Sequence, residues 1–439
     1  MSDVFTYSKM KDSKEQWLGD IPSTWNTRLL KYMFAIKKNI AGETGHQVLS
    51  VTQRGIVPKN MSERGQFALD YSKYQLVESG DFVMNHMDLL TGWVDVSKYD
   101  GVTSPDYRVF VNTNPDMFHS GYYKYIFQHC YNNRVFYGLG QGVAGFGRWR
   151  LPADMFMNFV LPVPPIAEQE RIAEFLDGQC AQIDTLVQET KKNIEDYKLW
   201  KASIIEETIT RGINPNAKTK KCDLEWIPEI PHSWKTDRLK DLFVFGKGLP
   251  ITKENLVEQG VSVISYGQIH AKYNNGTSIT EPLLRYVSDT YVETNPESLV
   301  HKGDILVADT SEDVTGCGNC AYVDKEMLLF AGYHTIILRS IIGHDNKYLA
   351  YLFKTDAWRS QIRTRVSGVK LFSVSKKILN LATVILPPEE ERADIVRFLD
   401  EKCDAIDSLI DSKQALLVDL ESYKRSLIYE VVTGKRKVV

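Results

Sequence analysis

The sequence lacks any run of eighteen apolar residues, so no stretch is long enough to cross a membrane as a helix. Its opening, MSDVFTYSKMKDSKEQW, has no apolar core of the kind a secretory signal needs, which points to the cytoplasm. Cysteine is scarce: six residues are scattered over 439, a pattern of reduced thiols rather than of a disulfide framework. No GxxxxGK[ST] phosphate loop occurs, which argues against an ATPase. The adenine-methyltransferase tetrad (Asn or Asp, Pro-Pro, aromatic) is missing as well. The nine histidines form no HxxxH pair, and no nucleophile, base and orienting group assemble from the spacing. Bulk positive charge is also missing. With 53 basic and 56 acidic residues the net charge is −3, unlike that of a free-standing nucleic-acid binder.

Two short motifs suggest chemistry and fail on context. Gly140-Gln141-Gly142-Val143-Ala144-Gly145 spells GxGxxG, but FGRWRLP follows it, whereas a dinucleotide fingerprint must open a helix. A flexible or DNA-facing loop is the better reading. Cys317-Gly318-Asn319-Cys320 is a lone CxxC without the second pair that zinc requires and without the βαβ context of a redox motif. A glycine-tight loop is the favoured reading, and a zinc site completed by His301 and His334 is the other.

What is present is a repeat. WLGDIPSTWNTRLLK at 17–31 recurs as WIPEIPHSWKTDRLK at 226–240, an offset of 209. Pro164-Pro165 recurs as Pro387-Pro388 at an offset of 223, and there Glu168, Ile172, Phe175, Leu176, Asp177 and Cys180 meet Glu391, Ile395, Phe398, Leu399, Asp400 and Cys403. The second copy therefore carries a net insertion of 14 residues in its globular part, although Gly80-Asp81 still aligns with Gly303-Asp304. Two diverged copies of one unit imply approximate two-fold symmetry. Hydrophobic (43%) and charged (25%) contents are those of a globular protein, and the length calls for two or three domains.

After each Pro-Pro the pattern becomes helical, with Glu in the first turn. A mostly apolar seam then runs in steps of four and three, from Ile172 to Thr208 and from Ile395 to Val431, which is a coiled-coil spacing. The two copies are each other's natural partners, and a two-fold axis makes them antiparallel. Roughly 40 residues at about 1.5 Å each form a rod of about 60 Å, longer than the ~34 Å of one DNA turn. Cys180 and Cys403 read as small seam residues. These stretches hold 22 of the acidic but only 11 of the basic residues, which leaves 34 acidic against 42 basic elsewhere. The globular parts are thus mildly basic.

The globular parts mix short β-rich runs (48–52, 261–265, 335–338) with Gly-rich loops and a brief helix at 348–353, an α+β reading. Their loops combine glycine, which permits close backbone approach, with side chains able to hydrogen-bond base edges. The candidate DNA readers are Gln53, Arg54, Asn85, His86, Gln141, Arg148 and Arg150 in the first copy. In the second they are Lys247, Tyr266, Gln268, Ser311, Arg365 and Lys370. For any single residue an ordinary surface loop is the plainer reading; the set, borne on two copies of one domain, suggests recognition.

These residues resemble the DNA specificity (S) subunits of type I restriction–modification systems. YSKMKDSKEQWLGDIPSTW and ITRGINPNAKTKKCDLEWIPEIPHSW are similar to the openings of that family's recognition domains. LPVPPIAEQERIAEFLD and VILPPEEERADIVRFLD are similar to its helix starts, and SLIYEVVTGKRKV to its ending. One departure is Arg392, which replaces the usual Gln matched by Gln169 in the first copy. The resemblance implies two target-recognition domains, at 1–160 and (with a linker) 213–383, separated by antiparallel helical spacers at 161–212 and 384–439. It implies that each domain reads half of a bipartite site in double-stranded DNA. Two methyltransferase subunits would join the chain, with Glu168, Gln169, Phe175, Glu391 and Phe398 as partner-helix contacts. Two restriction subunits would complete the complex. The chain itself would be non-catalytic and without cofactor or metal, while S-adenosylmethionine, ATP and Mg would serve the partners. The competing readings are a stand-alone methyltransferase or nuclease, and a coiled-coil scaffold binding proteins rather than DNA.

Overall fold

A computed structural model describes residues 6–59, 70–142, 149–341 and 346–438. The chain divides into two compact units that do not follow chain order: residues 1–191 with 414–439, and residues 192–413. The reason lies in the two long helices, Ile166–Arg211 and Glu389–Val432. Each unit contains the first part of one helix and the last part of the other.

Within each unit the helices pair antiparallel, and one ion pair occurs twice at the repeat offset. Lys424 Nζ lies 2.6 Å from Asp184 Oδ1 in the first unit, and Lys201 Nζ lies 2.5 Å from Asp407 Oδ2 in the second. The apolar seam is buried as its spacing predicts at Ile172, Leu176, Cys180, Ile183 and Val187, and at Ile395, Leu399, Cys403, Ile406 and Ile410. Near the end of the first helix Thr208 stays buried and the stripe widens by one residue, to Ile205 and Ile209. A 3.6-residue helix drifts by about 20° per heptad against a strict 3.5-residue pattern, which brings the neighbouring positions under the cover of the core.

In the first unit a four-stranded antiparallel sheet has the order Phe34–Lys37, Arg108–Asn112, Phe82–Met84, Val94–Val96. Helix Ser120–Asn132 packs on it. Phe34, Phe82, Phe110 and Phe127 meet at ring separations of 4.9–5.8 Å, mostly edge to face. That geometry suits the aromatic quadrupole. In the second unit the matching sheet runs Phe243–Lys247, Thr335–Ser340, Ile305–Ala308, Cys320–Tyr322. A further four-stranded sheet (Arg285–Val287, Val261–Ile264, Leu329–Ala331, Leu299–Val300) includes one parallel pairing. The fold is α+β, with the same unit built twice.

Both globular parts are closed at the base by a strand pair, Asn26–Leu29 with Val160–Val163 and Lys235–Arg238 with Thr383–Leu386. The Gly-Asp trace is one turn built twice. Gly80 and Gly303 sit at φ 97° and 95°, a left-handed conformation that favours glycine. Asp81 and Asp304 are buried, accept from the backbone N–H three residues earlier, and pair with Lys37 (2.8 Å), two strands away in the sheet, and Arg339 (2.9 Å), on the adjacent strand.

The globular parts grip the helices in the same way twice. The Tyr125 hydroxyl and Lys124 ammonium hold Asp177 at 2.6 and 2.8 Å; Tyr351 and Lys347 hold Asp400 at 2.7 Å each. The Tyr122 hydroxyl donates to the Val432 carbonyl at 2.8 Å, and Tyr348 donates to Ile209 at 3.1 Å. Each helix ends on a left-handed glycine, Gly212 (φ 78°) or Gly434 (φ 73°). There it meets the fully buried tryptophan of the opening motif, Trp234 or Trp25. The two tryptophans that the repeat shares are thus the seats of the two helix ends.

Candidate nucleic-acid interface

The first unit presents a cleft of about 830 Å³, lined in part by Lys59, Tyr74, Asn85, Asp88, Tyr107 and Trp149. One wall is the hairpin of Leu49–Thr52 and Gly55–Pro58, whose two-residue turn is Gln53-Arg54. Gly55 at φ 107° and the Thr52 hydroxyl, which accepts from the Arg54 N–H at 3.1 Å and donates to Gly55 O at 2.9 Å, fix that turn. Both candidate readers at its tip are exposed. The opposite side carries Asn85, whose carbonyl is held by the Tyr131 hydroxyl at 2.7 Å. Its side-chain oxygen accepts from the Met87 N–H at 3.3 Å, and its amide nitrogen has no hydrogen bond among the described residues.

His86 adjoins this wall but behaves differently from Asn85. Burial first, then the charges of Arg108 and Arg150, push its pKa down to about 4, so it is neutral at physiological pH and supplies no phosphate-pairing charge. Its Nδ1 is buried without a partner among the described residues. Gln141 and Arg150 are joined by two backbone hydrogen bonds of 2.8 and 3.0 Å, forming the base of a loop. Beneath them the Trp149 indole stacks on Tyr137 and donates to its carbonyl at 2.8 Å. Gly140 is required there, because a Cβ would overlap the Trp149 indole nitrogen. Arg148 lies outside the described residues. Of the candidate readers Asn85 lines the cleft; Gln53 and Arg54 form the turn next to its Leu49–Thr52 wall, and Arg150 donates from Nε to the sulfur of the lining residue Met87 at 3.0 Å, with Tyr74 and Trp149 as aromatic lining that sequence reasoning missed.

In the second unit Tyr266 packs edge-on against Tyr333, His334 and His270, with ring separations of 5.4–6.2 Å. His334 adopts φ 56°, a strained left-handed conformation for a residue with a side chain. It is held there by Asp309 at 3.0 Å. The adjacent Thr310 pairs with Ser373 at the root of the loop bearing Arg365 and Lys370, so loop and aromatic cluster lie side by side. Arg365 and Lys370 are exposed, as is Lys247 at the end of its strand. Sequence reasoning missed Tyr333 and weighed His334 only as a zinc ligand, although an aromatic–His pair directly after Gly332 was the available signal.

Several polar residues read from sequence as contacts are used internally. Ser311 is 3% exposed and its hydroxyl donates to the Asp313 carbonyl at 2.7 Å, so it braces a turn and faces no ligand. The Gln268 side-chain oxygen accepts from the Ser265 N–H at 3.1 Å as part of a capping box, leaving only its amide nitrogen available. Gln169 is fully buried; it accepts from His119 N–H at 2.8 Å and donates to the carbonyls of Met117 and Pro164. No atom of it remains for a partner helix. Glu168 accepts from the Tyr7 hydroxyl and, at 3.1 Å, from the Trp25 indole. Phe175 and Phe398 pack on the cores of their own units. In the second copy Glu391 stands beside Gly212, while Trp234 Nε1 and Arg392 Nε are buried without partners among the described residues. The Arg392 departure therefore breaks the Gln169-type brace.

Cys317 and Cys320 are buried free thiols; the Cys317 thiol donates weakly to the Asp313 carbonyl at 3.7 Å. Among the described residues no group of three or more His, Cys, Asp or Glu is placed to hold a metal, and no helix is long and apolar enough to cross a membrane.

Residues 231–418 match the family model of the type I restriction modification DNA specificity domain. The chain is 23% identical to the type I restriction enzyme MjaVIII specificity subunit of Methanocaldococcus jannaschii over 67% of its own length and 66% of that protein. It is 22% identical to the putative MjaX specificity subunit of the same organism over 99% of both chains. It is 23% identical to the EcoBI specificity subunit of Escherichia coli over 70% of this chain and 66% of that one. The fold matches a chain solved in work on complex assembly and conformational transition of the type I restriction–modification system, with TM-score 0.69, 15% identity, and coverage of 94% and 98%. It also matches the HsdS subunit of Thermoanaerobacter tengcongensis, with TM-score 0.52, 14% identity, and coverage of 94% and 98%. The repeat, its paired helices and these likenesses agree: residues 231–418 match the type I DNA specificity domain, and the chain is similar over nearly its whole length to type I specificity subunits.

Proposed function

We propose that each globular part reads one half of a bipartite sequence in double-stranded DNA and that the paired helices set the gap between the halves. The observation that carries this reading is a shared frame with different readers. The helix clamps, the Gly-Asp turn and the tryptophan seats recur at matched positions. The exposed loops do not: one copy presents Asn85 in a cleft flanked by the Gln53-Arg54 turn, the other a Tyr266–Tyr333–His334 cluster beside a basic loop. Matched scaffolds with dissimilar reading surfaces are what two different half-sites demand.

In this reading the chain performs no chemistry and acts in the cytoplasm. Two methyltransferase subunits bring S-adenosylmethionine, and two restriction subunits bring ATP and Mg. The outer helix faces are the docking surfaces. Leu186 and Tyr423 in the first unit, and Leu409 and Trp200 in the second, are 42–51% exposed and correspond at the repeat offset. Two equivalent exposed apolar patches suit two copies of one partner. Partner subunits around the DNA also share the phosphate contacts, which accounts for a net charge of only −3.

The test is co-expression with the cognate methyltransferase, followed by mapping of methylated adenines. One bipartite motif that vanishes when this chain is omitted is the expected result. Methylation that is unchanged without the chain overturns the proposal.

A further inference from the structure

The most exposed large apolar side chain among the described residues is Val369, at 96%. It sits at the tip of the loop 366–373 with Leu371, which is 57% exposed. This tip is not a frayed segment. Ser367 bridges to Ser373, strand Phe372–Ser373 pairs with Thr310–Ser311, and Val374, fully buried, donates its N–H to the Asp309 carbonyl at 2.8 Å. Gly368 makes the turn, since a Cβ there would overlap the Leu371 carbonyl oxygen. An anchored loop that holds a valine and a leucine out in water forgoes the burial that normally collapses such side chains.

The surroundings identify what would cover it. Between Asp356 and Glu389 the chain contains no acidic residue, but it contains Arg359, Arg363, Arg365, Lys370, Lys376 and Lys377. Arg363 pairs with Asp356 at 2.9 Å, and Arg359 and Lys376 donate to the Phe353 and Phe245 carbonyls at 2.7 and 2.8 Å, which leaves Arg365 and Lys370 as the exposed cations of the loop itself. Lys370 lies between the two apolar tip residues and makes no ion pair or hydrogen bond among the described residues. Arg365, at the base, is exposed and anchored only by its own hydrogen bond to the Gln361 carbonyl at 2.6 Å. Apolar residues alone would suit a protein surface; with the exposed cations Lys370 and Arg365 beside them they suit a polyanion that also offers apolar contacts. Duplex DNA is such a ligand, with phosphates flanking grooves in which thymine methyl groups and base steps are apolar.

We infer that the loop 366–373 is the element by which the second domain enters a DNA groove, with Val369 and Leu371 against base edges and Lys370 and Arg365 on the flanking phosphates. This rests on the proposed function and extends it to named residues. The repeat gives it a counterpart: at the offset of 223, Arg150 aligns with Ser373, and Gln141–Arg150 form the base of a loop at the same point of the first domain. Between Asp116 and Asp154 that copy, too, contains no acidic residue.

The test uses the full chain with its methyltransferase and reads adenine methylation across all sequence variants of the target. The double substitution V369S and L371N is expected to relax base preference in one half-site only, by about 5- to 50-fold at the contacted positions. The other half-site stays sharp, which shows that the protein is folded and assembled. V369I with L371M, which keeps the apolar tip, is expected to retain the preference. K370A is expected to weaken all sequences alike and to reduce the salt dependence of binding by about one unit of slope. If the V369S, L371N chain leaves both half-sites as sharp as before, or relaxes both equally, the inference is overturned while the proposed function stands. If that substitution instead abolishes retention on anionic lipid vesicles with the methylation motif unchanged, the tip serves a membrane surface and the inference is likewise overturned. If the unsubstituted chain directs no motif at all, the proposed function fails and this inference fails with it.

Discussion

Adding one methyl group at the end of a long helix tests the helix seats. Gly434 closes the second long helix at φ 73°, where alanine costs about 1–2 kcal/mol. The added Cβ would also overlap Cδ of Pro22 and lie 3.2 Å from the Trp25 ring. Neither group swings aside cheaply, since Pro22 is in a strand and Trp25 is fully buried. Overpacking of this kind costs a further ~1–3 kcal/mol. The loss of unfolded-chain entropy returns roughly 0.4–1 kcal/mol. The net expectation for Gly434→Ala is therefore a destabilisation of about 2–4 kcal/mol. Gly212 is the control. It has the same conformation and a similar distance to its tryptophan (3.3 Å to the Trp234 ring), but the nearest atom to its added Cβ is Glu391 Oε1 at 3.0 Å, the end of a flexible side chain in place of the Pro22 ring. Gly212→Ala should cost only about 1 kcal/mol. Hydrogen exchange read by mass spectrometry separates the units. In the Gly434→Ala chain, amides of 18–34 and 414–432 should exchange roughly thirty- to several-hundred-fold faster, with 192–413 little changed. Equal costs for the two substitutions, or acceleration spread evenly over both units, would refute the seat argument.

Further outcomes follow from the same geometry. Arg54→Ala should relax one half-site and leave the other sharp in the methylation map; a uniform loss over all sequences would make Arg54 a phosphate contact. His129 is 4% exposed, and burial lowers its pKa to about 4 from 6.5. The unfolded chain then binds the extra proton first, so stability falls as pH drops from about 6.5 towards 4, by about 3 kcal/mol. His129→Gln should flatten that decline in the exchange of the first unit; an unchanged acid profile contradicts it. Double-mutant cycles on Lys201–Asp407 and Lys424–Asp184 should give couplings of about 0.2–1 kcal/mol. The former should be larger, because its lysine side chain is 15% rather than 30% exposed. Equal or reversed couplings would remove exposure as the controlling factor.

The repeat and both helices were legible in the sequence because their signals are local and redundant: Pro-Pro starts, glutamates in the first turn and a four-three seam. Each helix begins at the residue directly after its Pro-Pro pair. Sheet order was not legible, since strands of three to six residues such as Phe34–Lys37 and Arg108–Asn112 pair across more than 70 intervening residues. The candidate readers divide by physical role. Arg54 and Lys370 lie at tips where nothing competes for them. Ser311, Gln268 and Gln169 satisfy backbone groups, and a polar residue looks alike in sequence whether it meets a base or its own chain. Val369 and Leu371 went unread because an apolar residue in a loop is indistinguishable from core until its exposure is known.

The central claim, two independent readers on one symmetric frame, is tested most directly by making both readers the same. The strand pairs at the base of each globular part mark the exchange points: residues 26–163 are replaced by a second copy of 235–386. Adenine methylation is then mapped with the cognate methyltransferase. The account predicts an inverted repeat of the second half-site with the original gap length. A motif that keeps its original asymmetry, or one in which only a single half-site remains specified, would contradict it.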